Sequence, residues 1–410
     1  MARLVQDWVE GFLTYSVGLK SPEIYRRWAA LCGLAGCLQR RVWIYVEGQR
    51  QRANLYVLLV GPPATGKSNA LKTVSGEFLV HLQALHLSPT DVTREAFYEI
   101  LEGSVGTYRE DGEPQQQCSL TGFLDEWAVF VHARDEPFMT FLADVYDNPT
   151  KRDYVTKTKG KNAIEYPNFT MAGGVTMKQL KDRFTDQALE GGFPSRIIMV
   201  YSDKKIVVPT GLRRQSDSIE STRTNTKERI ELRKQLIHDL ERVMLLEGEY
   251  IWENAAADEV DTWVKAKMAP VPTDPRLNYY SERRMAHFTK LCMILAASRR
   301  DELIVTLGDA KDARETLLEA ERWMPHAISA LGANDYFDQL KLGHAIVIAH
   351  HKRTGKPCPE WKLRQGLASE IPIYLCGPLI ESLVKMRWID QAGDPVTSPQ
   401  YVPGRPQDGS

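Results

Sequence analysis

The chain has 410 residues, of which 43% are hydrophobic and 26% are charged, and its formal net charge is −1. This length predicts two or three domains. The near-zero charge excludes a protein that coats nucleic acid over its whole surface, although it permits a local basic patch. No apolar stretch approaches the roughly 18 residues of a membrane helix, so we expect a cytoplasmic protein without a membrane partner. The six cysteines form no CxxC pair, which predicts reduced thiols rather than a zinc site or a disulfide framework.

The first segment, residues 1–48, predicts an N-terminal helical layer. Apolar residues recur at helical spacing near its start: Leu4, Val5, Trp8, Val9, Phe12 and Leu13. The stretch Ser21-Pro22-Glu23 predicts a second helix with Ser21 as the N-cap, because proline is favoured at the first helical position. We expect the layer to pack on the next domain or, in an oligomeric ring, to form a collar.

Residues 49–205 predict an α/β core. The stretch 55–60 is apolar at every position, as the central strands of a parallel sheet are. Further strands are predicted at residues 119–124, 169–174 and 196–201, with helices between them. Strands that alternate with helices indicate a parallel sheet.

The remaining chain divides by composition. Residues 206–228 are rich in Ser, Thr and charges and predict a flexible linker, and residues 229–332 predict an α-helical lid domain. Residues 333–403 predict a C-terminal winged-helix-like domain, and residues 404–410 a disordered tail.

Within the winged-helix-like domain, a third helix is predicted to open at residues 377–379. Lys385 and Arg387 would lie on its exposed side, where such domains contact DNA. Two alternatives remain open, namely a winged helix that docks on protein and a plain helical tail.

A phosphate-binding loop is predicted between the strand 55–60 and the helix that follows it. Glycines at both ends of the loop let its backbone N–H groups turn toward phosphates. Lys67 supplies a positive charge, and the Ser68 hydroxyl is suited to ligate Mg²⁺. The residues expected to bind ATP are Gly61, Pro62, Pro63, Ala64, Thr65, Gly66, Lys67, Ser68 and Asn69.

Two acidic residues close the apolar strand 119–124. Asp125 is predicted to hold Mg²⁺ through its water shell, and Glu126 to polarise the attacking water as general base. This pair, the Walker B arrangement, predicts ATP hydrolysis. It counts against a small-molecule kinase, which needs no glutamate beside its Mg²⁺ ligand.

Two further residues are candidates for the hydrolytic machinery. Thr176 follows a strand that ends in small residues, and its hydroxyl is expected to contact the γ-phosphate as a sensor, to cap the next helix, or both. Asn168 is the second candidate for the sensor. Arg196 follows a Gly-rich turn and is expected to reach the nucleotide of a neighbouring subunit as an arginine finger, with Arg183 in reserve. The alternative for Arg196 is a structural salt bridge.

Residues 151–166 predict a basic β-hairpin whose turn is formed by residues 159–162. Lys157, Lys159 and Lys161 have no compensating acids nearby in the sequence. A flexible basic loop of this kind would bind the phosphates of a DNA strand in a central pore. The alternative is a solvated edge hairpin that its lysines protect from pairing with other strands.

The order of these features resembles that of superfamily 3 and AAA+ helicases, and most closely the P-loop portion of phage- and plasmid-borne replicative helicases. The resemblance covers about residues 5–300. It implies a hexameric ring with ATP at the subunit interfaces, single-stranded DNA in the pore and 3′ to 5′ movement. The stretches that carry it are 54–61, 125–126, 172–176, 192–196 and 280–291.

The resemblance leaves two sensor positions open. Superfamily 3 helicases typically have Asn where this chain has Thr176. Arg283 and Arg284 are both candidates for a second sensor from the lid, and the alternative for both is a helix-surface arginine.

The residues and the resemblance together predict an ATP-driven DNA helicase or translocase of phage or mobile-element replication. It would use ATP and Mg²⁺ and work with a separate primase or initiator. A first alternative is a non-unwinding ATPase, such as a helicase loader or an initiator that remodels origin DNA. A second is a regulatory switch that binds ATP and recruits partners, although Glu126 counts against it because a switch needs no efficient base.

Overall fold

The computed structural model describes residues 2–132, 135–156, 160–184, 192–208, 227–328, 337–394 and 398–404. The chain forms two compact units, residues 1–331 and residues 332–410. This division lies within two residues of the predicted start of the C-terminal domain at residue 333. Most of the predicted linker, residues 209–226, and the end of the predicted tail, residues 405–410, lie outside the described residues.

The first unit combines helices with an internal sheet. Its described helices are α1 (Trp8–Tyr15), α2 (Glu23–Leu38), α3 (Lys67–Glu77), α4 (Arg94–Gly103), α5 (Trp127–Phe130), α6 (Glu136–Tyr146), α7 (Met177–Arg183), α8 (Lys227–Val243), α9 (Asn254–Lys265), α10 (Asn278–Ser281), α11 (Arg284–Arg299) and α12 (Leu307–Ala327). Its described strands are β1 (Val42–Val46), β2 (Gln49–Arg52), β3 (Tyr56–Val60), β4 (Val105–Glu110), β5 (Glu113–Leu124), β6 (Lys151–Thr156), β7 (Gly160–Glu165), β8 (Pro167–Val175), β9 (Ile198–Tyr201), β10 (Gly248–Glu249), β11 (Ile251–Trp252) and β12 (Ile304–Val305).

The central sheet has the strand order β4-β5-β8-β3-β9. Strands β5, β8, β3 and β9 run parallel, and β4 pairs antiparallel with β5. Every residue of β3 and β8 is buried, which is typical of parallel strands covered on both faces. The predicted α/β class with a parallel sheet is therefore confirmed.

The parallel strands bring the ends of three segments to one edge of the sheet, here called the carboxyl edge. Strand β3 ends at Val60, β8 at Val175 and β5 at Leu124. The N–H group of Gly61 donates to the carbonyl of Val175 at 3.3 Å, which joins the first two ends. In open α/β sheets this edge is where ligands bind.

The N-terminal helices are built into the first unit. Trp8 donates from Nε1 to the carbonyl of Leu236 at 2.8 Å, and the carboxylate of Asp239 accepts from the N–H of Leu4 at 2.9 Å, so α1 is tied to α8. Helix α2 begins at Glu23 with Pro22 at the N-cap. The predicted N-cap Ser21 is wrong, because Pro22 with ψ near 145° takes the non-helical position.

The second unit has its own apolar core. It is formed by α13 (Phe337–Thr354), β13 (Cys358–Pro359), α14 (Glu360–Leu367), α15 (Ile373–Lys385), β14 (Ile389–Gln391) and β15 (Gln400–Pro403). The strands form an antiparallel sheet in the order β13-β15-β14. Helix α15 begins four residues before the predicted start at residue 377. Burial of Cys376 and Leu379 on one face favours the helical turn across Pro378.

The predictions about membrane helices and cysteines concern the described part of the chain. No helix in the described ranges is long and apolar enough to cross a lipid bilayer. The six cysteines are buried free thiols, as predicted.

Candidate nucleotide-binding site

The phosphate loop connects β3 to α3 and requires glycine at both of its ends. Gly66 has φ near 87°, and a Cβ atom there would collide with the carbonyl oxygen of Lys20. A Cβ atom on Gly61 would collide with the carbonyl oxygen of Ser202 and the hydroxyl of Tyr25. Glycine is the residue that tolerates both conditions, positive φ and close backbone approach. Residues of the N-terminal segment and Ser202, which follows β9, therefore pack against one side of the loop.

Lys67, the first residue of α3, folds back over the loop. Its ammonium group donates to the carbonyls of Gly61 and Pro62, both at 2.8 Å, and lies 3.3 Å from the Thr65 hydroxyl. Burial lowers the pKa of Lys67 to about 8. The Lys67 ammonium group is half-buried and faces only neutral oxygen atoms, so an anionic ligand would stabilise its positive charge.

Ser68 and Asp125, the two predicted magnesium ligands, lie near each other, although Ser68 belongs to α3 and Asp125 follows β5. The Ser68 side chain is close enough to lower the pKa of the Asp125 carboxyl group. The Nζ of Lys72 lies 2.6 Å from Oδ2 of Asp125. Burial alone would raise the pKa of Asp125, but the side chains of Lys72 and Ser68 hold that pKa below its usual value. The carboxylate is therefore ionised at neutral pH and available to a cation.

The surroundings of Asp125 fit a magnesium ion. Its Oδ1 atom is buried and has no hydrogen-bond partner. A Cβ atom on Gly174 would lie 2.9 Å from the carbonyl oxygen of Asp125 and 3.5 Å from Cβ of Lys67, so the small residue keeps the two motifs close. No three His, Cys, Asp or Glu side chains converge as a metal site within the described ranges. Mg²⁺ commonly binds through one or two protein oxygens together with substrate phosphates and water.

Glu126, the predicted general base, is exposed at the carboxyl edge and is held by a residue that the sequence analysis did not single out. Gln179 of α7 donates from Nε2 to Oε1 of Glu126 at 2.9 Å. Thr176 caps the same helix, and its hydroxyl donates to Oε1 of Gln179 at 2.9 Å. Thr176 therefore caps α7, as one of its two interpretations states. The sequence signal for Gln179 is the capping-box spacing Thr-x-x-Gln.

The N-terminal segment forms the back wall of the loop. The hydroxyl of Tyr25 donates to the carbonyls of Val60 and Ser202 at 2.6 and 2.7 Å, alternatives for its single proton, and accepts from the N–H of Ser202 at 3.1 Å. Asn69, predicted to bind nucleotide, donates from its side-chain amide to the carbonyl of Lys20 at 3.0 Å. In this structure Asn69 therefore anchors the N-terminal segment to the loop.

A cavity of 410 Å³ lies beside this wall and shares Ser202 with it. Pro22, Ile24, Tyr201 and Trp323 line it. The lining also includes the charged residues Glu23, Asp203, Lys204 and Glu319, so only the apolar and aromatic part of the cavity is suited to a nucleobase. The sequence analysis missed these residues because they come from three distant segments and form no motif.

Arg196 lies at the opposite edge of the sheet, because it precedes β9, which runs parallel to β3. Four strand residues at roughly 3.3 Å each separate it from the level of its own phosphate loop. The guanidinium is buried and pairs with both carboxylate oxygens of Asp147 and with the carbonyl of Gly192. Arg283 shares Asp147 at 3.0 Å. The structural salt bridge is therefore present, and Arg196 could act only on another subunit's nucleotide.

The other arginine candidates are also engaged. Arg183 donates to the carbonyls of Val131 and Ala128 at 3.2 and 2.7 Å, near the carboxyl edge. Arg284 is buried and pairs with Glu321 at 2.8 Å. Arg284 is thus not a helix-surface arginine, because it is buried and its charge is paired within the helical part of the unit.

Asn168 is a poor sensor candidate for a positional reason. It is the second residue of β8 and lies buried at the amino end of that strand. Thr176, in contrast, follows the carboxyl end of the same strand. Thr176 is therefore better placed than Asn168 to act as the sensor, because β8 runs toward the carboxyl edge at Thr176.

The predicted basic hairpin is formed by β6 and β7 and leads into the amino end of β8. Arg152 pairs with Asp144 of α6 at 2.9 Å, and Tyr154 donates to Glu102 of α4 at 2.8 Å, so its arms are anchored. The predicted turn at residues 159–162 is misplaced, because residues 160–162 belong to β7 and pair with residues 154–156. The pairing of residues 154–156 with residues 160–162 sets the register of the hairpin. Lys157 and Lys159, like the side chain of Lys161, lie outside the described residues.

In the second unit, Lys385 and Arg387 are exposed. Lys385 is the last residue of α15, whereas Arg387 lies beyond the helix with φ near 56°. The prediction that both lie on the helix is therefore wrong for Arg387, because the chain turns into β14 directly after the helix.

Comparison with known proteins assigns no family to the chain. No protein-family model matches it, and no curated protein matches it significantly in sequence. A functional assignment therefore depends on the arrangement of the residues described above.

Proposed function

We propose that the chain is an ATP-driven DNA helicase or translocase that works as a ring. One arrangement carries most weight. Ser68 and Asp125 come from two motifs separated in the sequence, and at the carboxyl edge the Ser68 side chain is close enough to lower the pKa of Asp125. The proximity of two predicted ligands of one cation supports a Mg²⁺–ATP site.

The proposed reaction is transfer of the γ-phosphoryl group of ATP to water. Lys67 would leave the carbonyls of Gly61 and Pro62 and bind the β- and γ-phosphates. Ser68 and Asp125 would hold Mg²⁺, which when bound neutralises charge on the phosphate oxygens. Glu126 would accept a proton from the attacking water as the bond from the γ-phosphorus to the bridging oxygen breaks. ADP and phosphate would then leave.

The position of Arg196 supports a ring of subunits, which the resemblance suggests is a hexamer. Arg196 lies at the edge opposite to its own phosphate loop, so any role on a nucleotide must be played across a subunit interface. To do so it would have to exchange its bonds with Asp147 for a neighbour's γ-phosphate. Arginine fingers of this kind are worth about 10³–10⁵ in rate.

Two features of topology support the finer assignments. Strand β8, which leads to Thr176, lies between the phosphate-loop strand β3 and the Asp125 strand β5, as expected for an AAA+ core. In the second unit the order helix–strand–helix–helix–strand–strand supports a winged-helix-like domain. The hairpin lysines Lys157, Lys159 and Lys161 remain the proposed contacts to single-stranded DNA, with Lys385 and Arg387 as a second contact.

The proposal is tested by steady-state ATP hydrolysis with and without single-stranded DNA, in the wild type and in Glu126→Gln. We expect strong stimulation by DNA in the wild type and near-complete loss of turnover in Glu126→Gln with nucleotide binding retained. Brisk hydrolysis that ignores DNA would favour the helicase-loader or initiator alternative. Wild-type turnover by Glu126→Gln would refute the assigned base.

A further inference from the structure

Gln179 is the third residue of α7, and every polar atom of its side chain is engaged. Its Oε1 accepts from the backbone N–H and from the hydroxyl of Thr176, each at 2.9 Å. Its backbone N–H donates to the Thr176 hydroxyl oxygen at 3.2 Å. Its Nε2 donates to Oε1 of Glu126 at 2.9 Å. One amide group thus links the cap of α7 to the carboxylate that follows β5.

The direction of this amide group is determined by its partners. A carboxamide has an acceptor oxygen at one end and a donor nitrogen at the other. If the amide of Gln179 were reversed, its NH₂ group would face the N–H of Thr176, and its oxygen would face the carboxylate of Glu126. Both contacts would lose their hydrogen bonds and become repulsive. Thr176 therefore fixes the oxygen end, and the nitrogen end must point at Glu126.

The contact between Gln179 and Glu126 lies beside the proposed reaction centre. Strand β8 lies between β3 and β5, so α7 starts beside both the phosphate loop and Asp125. Glu126 is otherwise an exposed side chain on a short loop, and a free glutamate loses rotamer entropy when it is ordered. A donor held rigidly by a helix cap supplies the constraint that a general base needs in order to meet one water molecule.

We propose that Gln179 is a positioning residue, which holds the carboxylate of Glu126 in place for the attacking water, and that Thr176 acts through Gln179. The inference rests on the proposed ATPase function. It gives Thr176 a role that does not require contact with the γ-phosphate. One oxygen of Glu126 is bound to Gln179, and the other is the one that accepts the proton.

The decisive variant is Gln179→Glu. Glutamate serves as well as glutamine at the third position of a capping box, so the bonds from Thr176 are kept. The donor that faces Glu126, however, becomes a carboxylate oxygen, and two like charges then repel. A role confined to capping α7 predicts that Gln179→Glu behaves as the wild type. A positioning role predicts a folded protein with a damaged reaction.

The measurements are kcat and KM for ATP, the Kd of a fluorescent ATP analogue, and Tm. For Gln179→Glu we expect Tm and Kd close to the wild type and kcat lower by about 10²-fold, the range of a general base. Gln179→Ala should lower kcat similarly and also lower Tm, because the capping box is lost. In a Glu126→Gln background, Gln179→Glu should cause no further loss of kcat, since it acts through residue 126.

The outcomes separate this inference from the proposed function. Wild-type kcat in Gln179→Glu together with an inactive Glu126→Gln would overturn the inference and leave the ATPase assignment standing. An additive loss in the double variant would also overturn it, because Gln179 would then act independently of Glu126. Wild-type turnover in Glu126→Gln would overturn both.

Discussion

The ammonium group of Lys72 lies 2.6 Å from Oδ2 of Asp125, the carboxylate proposed to hold Mg²⁺. Lys72 belongs to α3, the helix that follows the phosphate loop, and Asp125 directly follows β5. The lysine side chain is 68% exposed, so it can leave when another cation arrives. Lys72 and the proposed Mg²⁺ would therefore compete for the same carboxylate.

This competition predicts that Lys72→Met binds Mg²⁺–nucleotide at lower magnesium concentrations than the wild type. Exposed ion pairs contribute about 0.2–1 kcal/mol, so the half-saturating Mg²⁺ concentration should fall by about 1.4- to five-fold. The measurement is binding of a fluorescent ATP analogue during a MgCl₂ titration. Lys72→Arg, which keeps the charge, is the matched control. An unchanged magnesium dependence in Lys72→Met would mean that the pair has no effect on the metal.

The low pKa of Lys67 predicts a pH dependence of nucleotide binding. Burial lowers that pKa to about 8 in the free protein, whereas phosphates beside the ammonium group would raise it. The bound state then holds more protons, so affinity is full below pH 8 and falls by up to about tenfold per pH unit above it. The Kd should be measured from pH 6.5 to 9.5. Lys67→Met should bind weakly and without this slope, and a flat wild-type profile would contradict the assignment.

The partly buried pairing of Arg196 with Asp147 makes a simple deletion ambiguous, because Arg196→Ala removes both an internal ion pair and the proposed finger. Mixing two inactive variants resolves this. Lys67→Ala cannot bind ATP but carries an intact Arg196, whereas Arg196→Ala binds ATP but lacks the finger. We expect mixed rings to regain part of the ATPase activity, as measured at equal subunit concentrations.

Native mass spectrometry should verify that the mixed rings form. Mixed rings without recovered activity would exclude Arg196 as a finger that acts across the subunit interface. Near-normal turnover of Arg196→Ala alone would move the finger role to Arg183.

The hairpin prediction concerns salt as well as affinity. Changing Lys157, Lys159 and Lys161 together to Ala should weaken binding to single-stranded DNA and leave DNA-free ATP hydrolysis unchanged. Loss of three phosphate contacts should reduce the slope of log K against log salt by about 2. The control is Lys151→Ala on the same hairpin, whose lysine already pairs with Glu165 at 3.3 Å. Equal salt slopes in the triple variant and the wild type would exclude the hairpin as the DNA contact.

The sequence predicted features that depend on local pattern. Short stretches of apolar, glycine and acidic residues predicted three features. These are the buried strand before the phosphate loop, the acidic pair after β5 and the parallel orientation of the strands. The contacts of Lys72 with Asp125 and of Gln179 with Glu126 were not predicted, because each joins elements distant in sequence. Residue spacing gives no measure of such distances. The hairpin turn was misplaced for a related reason, since strand pairing and not the glycine alone set its register.

The contact between Tyr25 and Ser202 has a consequence for the order in which the protein is made. The two residues are 177 positions apart, and their hydrogen bond supports the phosphate loop from behind. At about 5–20 residues per second, Tyr25 is synthesised roughly 9–35 s before its partner. Until then the loop lacks the contacts that Ser202 makes with it. In the proposed ATPase, the nucleotide site would therefore be complete only after about half of the chain has been made.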